Sequence, residues 1–164
     1  MPYSREGLPN QRTSNNSPSQ SIVKVLVIED NENELETLSE LLQIKGYNPT
    51  KAKNAHEGLT QAKSDKYDIA LIDINLPDRN GLEILQIFNK NYRHMINIII
   101  TGHSSLEAAT KAMTFGADGY LEKHYNFETL EKLMTKCLDK KRRNMNRETR
   151  KHDSTLMSKF YEPI

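Results

Sequence analysis

The feature that most constrains this chain is a fivefold alternation of short apolar runs with segments of helical periodicity. Three of the runs are unmistakable: Ile22 to Ile28 in "SIVKVLVIEDN", Ile69 to Ile72 in "YDIALIDINLPDRNG", and Ile96 to Ile100 in "MINIIITGHSS". Each is rich in aliphatic residues and predominantly apolar, interrupted only by Lys24 in the first and Asn97 in the third, the pattern of a strand buried on both faces of a sheet. "NPTKAKN" and "DGYLEK" supply two weaker, shorter candidates. Between them lie stretches whose leucines and isoleucines recur at helical spacing: Leu35, Leu38 and Leu42; Leu82, Leu85 and Phe88; Leu130, Leu133, Met134, Cys137 and Leu138. "AHEGLTQAKSDK", with an internal glycine, and "SLEAATKAMTFGA" complete the set of helices, and Gly46 and Gly116 stand where helices would stop. Strands alternating with helices over short connections predict a parallel sheet covered by helices on both faces.

The length agrees with that reading. A chain of 164 residues holds one ordinary domain with tails. We expect a disordered leader over residues 1–20, which is rich in Ser, Asn, Gln and Pro, and one α/β domain over 21–140. A basic helical extension or flexible tail is expected over 141–164. With a single cysteine, Cys137, an internal disulfide is excluded and no cysteine cluster can hold zinc or iron–sulfur. No run approaches the roughly 20 apolar residues of a membrane span. The amino terminus lacks a secretory core, and the net charge of +1 gives no sign of a nucleic-acid surface. A reducing, cytoplasmic setting is expected, with neither membrane nor direct DNA binding.

The strand ends carry the chemistry. In a parallel sheet every carboxyl end lies on one edge, and in open α/β sheets ligands bind there. The first strand ends at Glu29 and Asp30, the third at Asp73, the fourth at Thr101 beside Gly102, and the fifth at Lys123. In the doubly wound order 2-1-3-4-5 the first and third strands are neighbours, which brings three carboxylates together. Like charges about 4 Å apart cost on the order of 4 kcal/mol per pair at an effective dielectric near 20. Such a cluster needs a cation, and an all-oxygen ligand set favours a hard one, Mg2+ above all. Carboxylates, metal, hydroxyl and ammonium around one point suit transfer of a phosphoryl group onto Asp73 as nucleophile. Simpler uses exist for each residue alone: Asp30 and Asn31 also suit helix caps, and Cys137 sits within an apolar stripe, as a core thiol would. No GxxxxGK phosphate loop is present, which argues against direct use of ATP.

Taken in order, "VLVIEDN", "ALIDINLPDRNGLE", "IIITGHSS" and "GADGYLEK" resemble the receiver domains of two-component response regulators, the chemotaxis regulator among them, over Ile22 to about Lys140. The resemblance implies a flavodoxin-like fold and a switch that catalyses only its own phosphotransfer and dephosphorylation. It implies that Asp73 accepts phosphate from a histidine kinase or phosphotransfer protein. Asp30, Asp73 and the backbone carbonyl of Asn75 would bind Mg2+, with Glu29 acting largely through water. Thr101, Lys123 and the backbone at Gly102 would hold the phosphoryl oxygens, and Tyr120 would turn inward on activation. A downstream protein would read the face of the fourth helix, fifth strand and fifth helix; the sequence leaves open whether the chain also pairs through that face as a homodimer.

One position departs from the family. Proline usually follows the lysine, in a cis bond, and here His124 stands there. A cis bond before a non-proline residue costs about 3–4 kcal/mol, so the loop is either strained cis or rebuilt in trans. His103, two residues after Thr101, is placed to border the phosphate. The residues beyond the core are too few for a DNA-binding or ATPase output domain, so the chain either acts by docking or is the first part of a longer regulator. Two other classes fit less of the pattern: a phosphorylation-independent adaptor on the same fold, suggested by His124, and a metal-dependent phosphohydrolase. The hydrolase reading lacks a cap insertion and a second aspartate at position 75.

Overall fold

The computed structural model describes the backbone of residues 22–160 and the side chains of residues 22–150. The expected leader, residues 1–20, and the last four residues of the expected tail lie outside the described residues. The elements alternate throughout: β1 (Lys24–Ile28), α1 (Glu32–Ile44), β2 (Asn48–Ala52), α2 (Ala55–Ser64), β3 (Ile69–Asp73), α3 (Gly81–Asn91), β4 (Ile96–Thr101), α4 (Leu106–Thr114), β5 (Gly119–Glu122) and α5 (Phe127–Phe160). They form one parallel five-stranded sheet in the order β2-β1-β3-β4-β5, the doubly wound topology expected from the alternation. The first strand is shorter than its apolar run: it begins at Lys24, and Ile22 is exposed. Ile22 has no opposite strand in the β1–β2 register, which starts at the pair Lys24–Asn48.

Alternation along the central strands divides the interior into two cores. Leu26, Ile28, Ala70, Ile72 and Ile99 face one side and pack with Ala55, Leu85, Phe88 and Ala112 from α2, α3 and α4. Val25, Val27, Leu71, Ile98 and Ile100 face the other and meet Leu35, Leu42, Leu130, Met134 and Cys137 from α1 and α5. Because each central strand feeds both cores, its residues are mostly apolar; the exception in mid-strand is Asn97 of β4, fully buried, whose side-chain amide donates to Asn89 Oδ1 at 3.0 Å. Cys137 is buried, its thiol donating to the Asp118 carbonyl at 3.3 Å.

Local signals set where the helices begin and end. Asn31, Asn54, Asn80 and Ser105 cap α1 to α4, each side-chain oxygen accepting a backbone N–H of the first turn. Gly46 follows α1 at φ +87°, in the left-handed region where a side chain is disfavoured. Beyond the core, α5 continues to Phe160 as a 34-residue helix. Near the end of the core, Lys141 anchors α5, its Nζ donating to the Met95 carbonyl at 2.6 Å.

The loop after β5 resolves the geometry that the sequence leaves open. All peptide bonds among the described residues are trans, and His124 takes φ +72°. A left-handed backbone is uncommon for a side-chain-bearing residue, though histidine is among the types enriched there. Thus the absence of proline is met by a twist at His124 while Lys123 keeps its place at the strand end.

Candidate functional site

Strand register decides which side chains meet. Ile28 of β1 pairs with Ile72 of β3, so the next residues, Glu29 and Asp73, leave the sheet side by side. Asp73 pairs with Ile100 of β4, and Thr101 with Glu122 of β5, which brings Thr101 and Lys123 to the same edge. The result is an open cleft lined by Glu29, Asp30, Asp73, Asn75, His103 and Lys123 among others.

Within it, carboxylate oxygens of Glu29, Asp30 and Asp73 lie within 4.8 Å of one another. Glu29 and Asp73 are buried, 6 % and 5 % exposed, whereas Asp30 is open to solvent. The Lys123 ammonium bridges them, at 2.6 Å from Asp73 Oδ2 and 2.8 Å from Glu29 Oε2. Burial raises the Glu29 pKa above the ordinary carboxylate range, and hydrogen bonds from Lys123 and the Asn31 N–H only partly oppose it. Burial acts in the opposite sense on Lys123, but hydrogen bonds to Asp73, Glu29 and Glu34 prevail and hold its pKa above that of a free lysine.

Of the other expected residues, Thr101, Asn75 and Gly102 lie at the same sheet edge, and Tyr120 lies in the core. Thr101 is fully buried at the end of β4, its Oγ1 accepting the His103 N–H at 3.3 Å. The Asn75 N–H donates to Asp73 Oδ1 at 3.1 Å, and the Asn75 side chain reaches His103 Nδ1 at 3.4 Å across the cleft. At Gly102 an added Cβ would meet only Lys123 Cδ, at 3.5 Å, so the space there would admit alanine. Tyr120 packs against the core beneath α3 and α4, and its hydroxyl is buried without a hydrogen-bond partner.

Three contributors escape a reading of strand ends. Glu34, in the first turn of α1, places Oε2 2.8 Å from Lys123 Nζ; its position four residues after Asp30, on a helix starting beside the site, is the only signal the sequence offers. Asp78, in the β3–α3 loop, accepts the Ala55 and His56 N–H groups at 2.9 Å each and so ties that loop to the start of α2. Gly81 donates its N–H to the Ile74 carbonyl at 2.8 Å, and a Cβ there would collide with the Asp73 carbonyl oxygen. The "DRNG" turn signal marks Gly81 as a loop residue but carries no hint of how closely it approaches Asp73.

The all-oxygen acid cluster fits a hard divalent cation: Glu29, Asp30 and Asp73 converge, and the buried pair is already countered by the lysine ammonium. A doubly wound sheet with acids, a buried threonine and a lysine at its carboxyl edge defines the receiver class of signalling modules. A family model described as the response regulator receiver domain matches residues 25–135, and the chain belongs to that family. Among curated relatives, an NtrX-like response regulator from Rickettsia bellii is 31 % identical over 140 residues, covering 82 % of this chain and 29 % of its own. The chain thus spans less than a third of the length of such relatives, 29 % and 30 % for the Rickettsia proteins. Among solved structures, a CheY-like receiver domain protein from Methanospirillum hungatei is 31 % identical, with a TM-score of 0.73 over 76 % of this chain and 99 % of the other. The response regulator TrrA from Thermotoga maritima, solved in complex with Mg2+ and BeF, is also 31 % identical. Its TM-score is 0.65 over 71 % of this chain and 99 % of its own. Among the described residues, no helix is long and apolar enough to cross a membrane.

Proposed function

We propose that Asp73 is the phosphoacceptor of a signalling switch, receiving its phosphoryl group from the phosphohistidine of a histidine kinase or phosphotransfer protein in the cytoplasm. The observation that carries this reading is the buried Asp73 carboxylate held at 2.6 Å by Lys123 beside Glu29, with Thr101 on the neighbouring strand. An Asp73 oxygen attacks phosphorus, the P–O bond forms as the P–N bond breaks, and the imidazole nitrogen keeps the electron pair and takes a proton from solvent. Catalysis is mainly positioning and charge neutralisation. Asn75 orients the nucleophile by donating to Oδ1. Lys123, the Thr101 hydroxyl and the Gly102 backbone N–H receive the phosphoryl oxygens.

Glu29, Asp30 and Asp73, with the backbone carbonyl of Asn75, would hold Mg2+, which when bound offsets the charge of the transferring group. Hydrolysis by water at phosphorus returns the carboxylate and releases phosphate. Movement of Thr101 toward the phosphoryl group would draw on Tyr120 and change the surface formed by α4, β5 and α5. Leu106 and Met113 are exposed on α4 and give a partner apolar footing there. As a switch, the protein turns over no external substrate.

The test is intact-protein mass after incubation with acetyl phosphate or phosphoramidate and Mg2+, alongside D73N and a metal-free control. A single phosphate adduct lost in both controls is the expected result. A folded protein that forms no adduct would overturn the reading and favour a phosphorylation-independent adaptor.

A further inference from the structure

Three carboxylates crowd the Lys123 ammonium: it donates to Asp73 Oδ2 at 2.6 Å and forms ion pairs with Glu29 Oε2 and Glu34 Oε2 at 2.8 Å each. A phosphoryl oxygen arriving at Lys123 must therefore compete with the carboxylates already gathered around it. The three are not held alike. Glu29 is buried and its other oxygen accepts the Asn31 N–H at 3.0 Å. Asp73 is buried and its Oδ1 accepts the Asn75 N–H. The Glu34 side chain is 50 % exposed, and among the described residues its carboxylate is bonded to Lys123 alone.

We infer that Glu34 is a positioning residue: its carboxylate holds, on Lys123, the place that a phosphoryl oxygen takes, and it is the partner displaced on phosphorylation. This rests on Asp73 being the phosphoacceptor. Water solvates the released carboxylate readily because it already faces solvent, so the exchange trades one ion pair for another. The contact has a cost for the forward reaction, since the lysine must first be freed. It also keeps the lysine aimed at the site in the resting protein. Glu34 reaches Lys123 from α1, so the set of groups that controls the lysine extends beyond the strand ends.

The experiment measures the rate of adduct formation with phosphoramidate and Mg2+ by intact mass. It uses the full chain as wild type, E34Q, E32Q, K123A and K123A/E34Q. Glu32 lies in the same helical turn with the same charge but pairs with Lys53 at 2.5 Å, so E32Q reports the effect of charge alone. The expected result is that E34Q reacts about two- to fivefold faster than E32Q, the scale of a partly exposed ion pair. In the K123A background E34Q is expected to change nothing further. Equal rates for E34Q and E32Q, or the same acceleration without Lys123, would overturn the inference while leaving the phosphoacceptor reading intact. A wild type that forms no adduct would overturn that reading, and this inference with it.

Discussion

Substitution of Gly81 by alanine tests how the site is built. Gly81 opens α3 and donates its N–H to the Ile74 carbonyl at 2.8 Å, which folds the loop of residues 75–80 back onto the end of β3. An added Cβ would overlap the Asp73 carbonyl oxygen and lie 2.8 Å from the Asp73 carbonyl carbon and 2.9 Å from Ile74 Cα. Every one of these atoms is backbone, so no side-chain rotation relieves the clash, and β3 or the start of α3 must move by a substantial fraction of an ångström. Overpacking of this kind costs about 1–3 kcal/mol. For a domain of this size, 1 kcal/mol corresponds to about 4 °C, which predicts a loss of about 4–12 °C in Tm. The displacement falls on the residue that bears the nucleophile, so the rate of phosphoramidate modification is expected to fall with it. Gly58 supplies the contrast: the three atoms nearest to a Cβ there all belong to the Ile28 side chain, Cδ1 closest at 2.5 Å, so the strain falls on core packing rather than on the backbone that carries Asp73. Thermal unfolding followed by circular dichroism, with modification rates on the same samples, checks both effects. A G81A protein within about 1 °C of wild type and equally reactive would refute the claim that backbone contact at Gly81 positions Asp73.

Mg2+ is expected to raise Tm and EDTA to reverse the gain; at a metal concentration of 100 Kd the stabilisation is about 2.7 kcal/mol, and D30N should lose most of it. Asp78→Ala removes the acceptor for two N–H groups of α2 and should cost about 1 kcal/mol near neutral pH by chemical denaturation. Burial alone would raise the Asp78 pKa, yet the Ala55 and His56 N–H groups hold it below the usual value. Its contribution is therefore present above the unfolded-state pKa near 4 and lost as pH falls through the lower folded value, so wild type and D78A should converge in acid. Burial pushes the Tyr125 phenol up to about 12, with Glu29 and Glu34 adding to the effect and Lys123 opposing it. Its stabilisation is complete below pH 10, the ordinary phenol value, and lost as pH rises through 12. An alkaline absorbance titration should show a late phenolate step that Y125F removes.

The chain alone determined a great deal of this protein. Unbroken apolar runs such as Ile69 to Ile72 read as strands buried on both faces, and their alternation with helices makes the sheet parallel. A parallel sheet puts all carboxyl ends on one edge, which is why Glu29, Asp30, Asp73, Thr101 and Lys123 could be grouped although Glu29 and Lys123 are far apart in the chain. The cap at Asn31 was readable in the same way, because capping is decided within a few residues.

What tertiary structure decided has no period and no fixed local spacing. Glu34 reaches Lys123 only because α1 packs on the sheet over β1 and β2 with its first turn at the cleft. Asp78 finds its partners 23 and 22 residues back along the chain, at the start of α2. The choice at His124 between a cis bond and a left-handed trans turn fell to the loop's closure between β5 and α5. Gly81 is required by backbone that lies in contact with it only once β3 and α3 are docked. Periodicity reports which face of an element is buried; the meeting of individual atoms depends on how loops close and which rotamers the packed elements leave open.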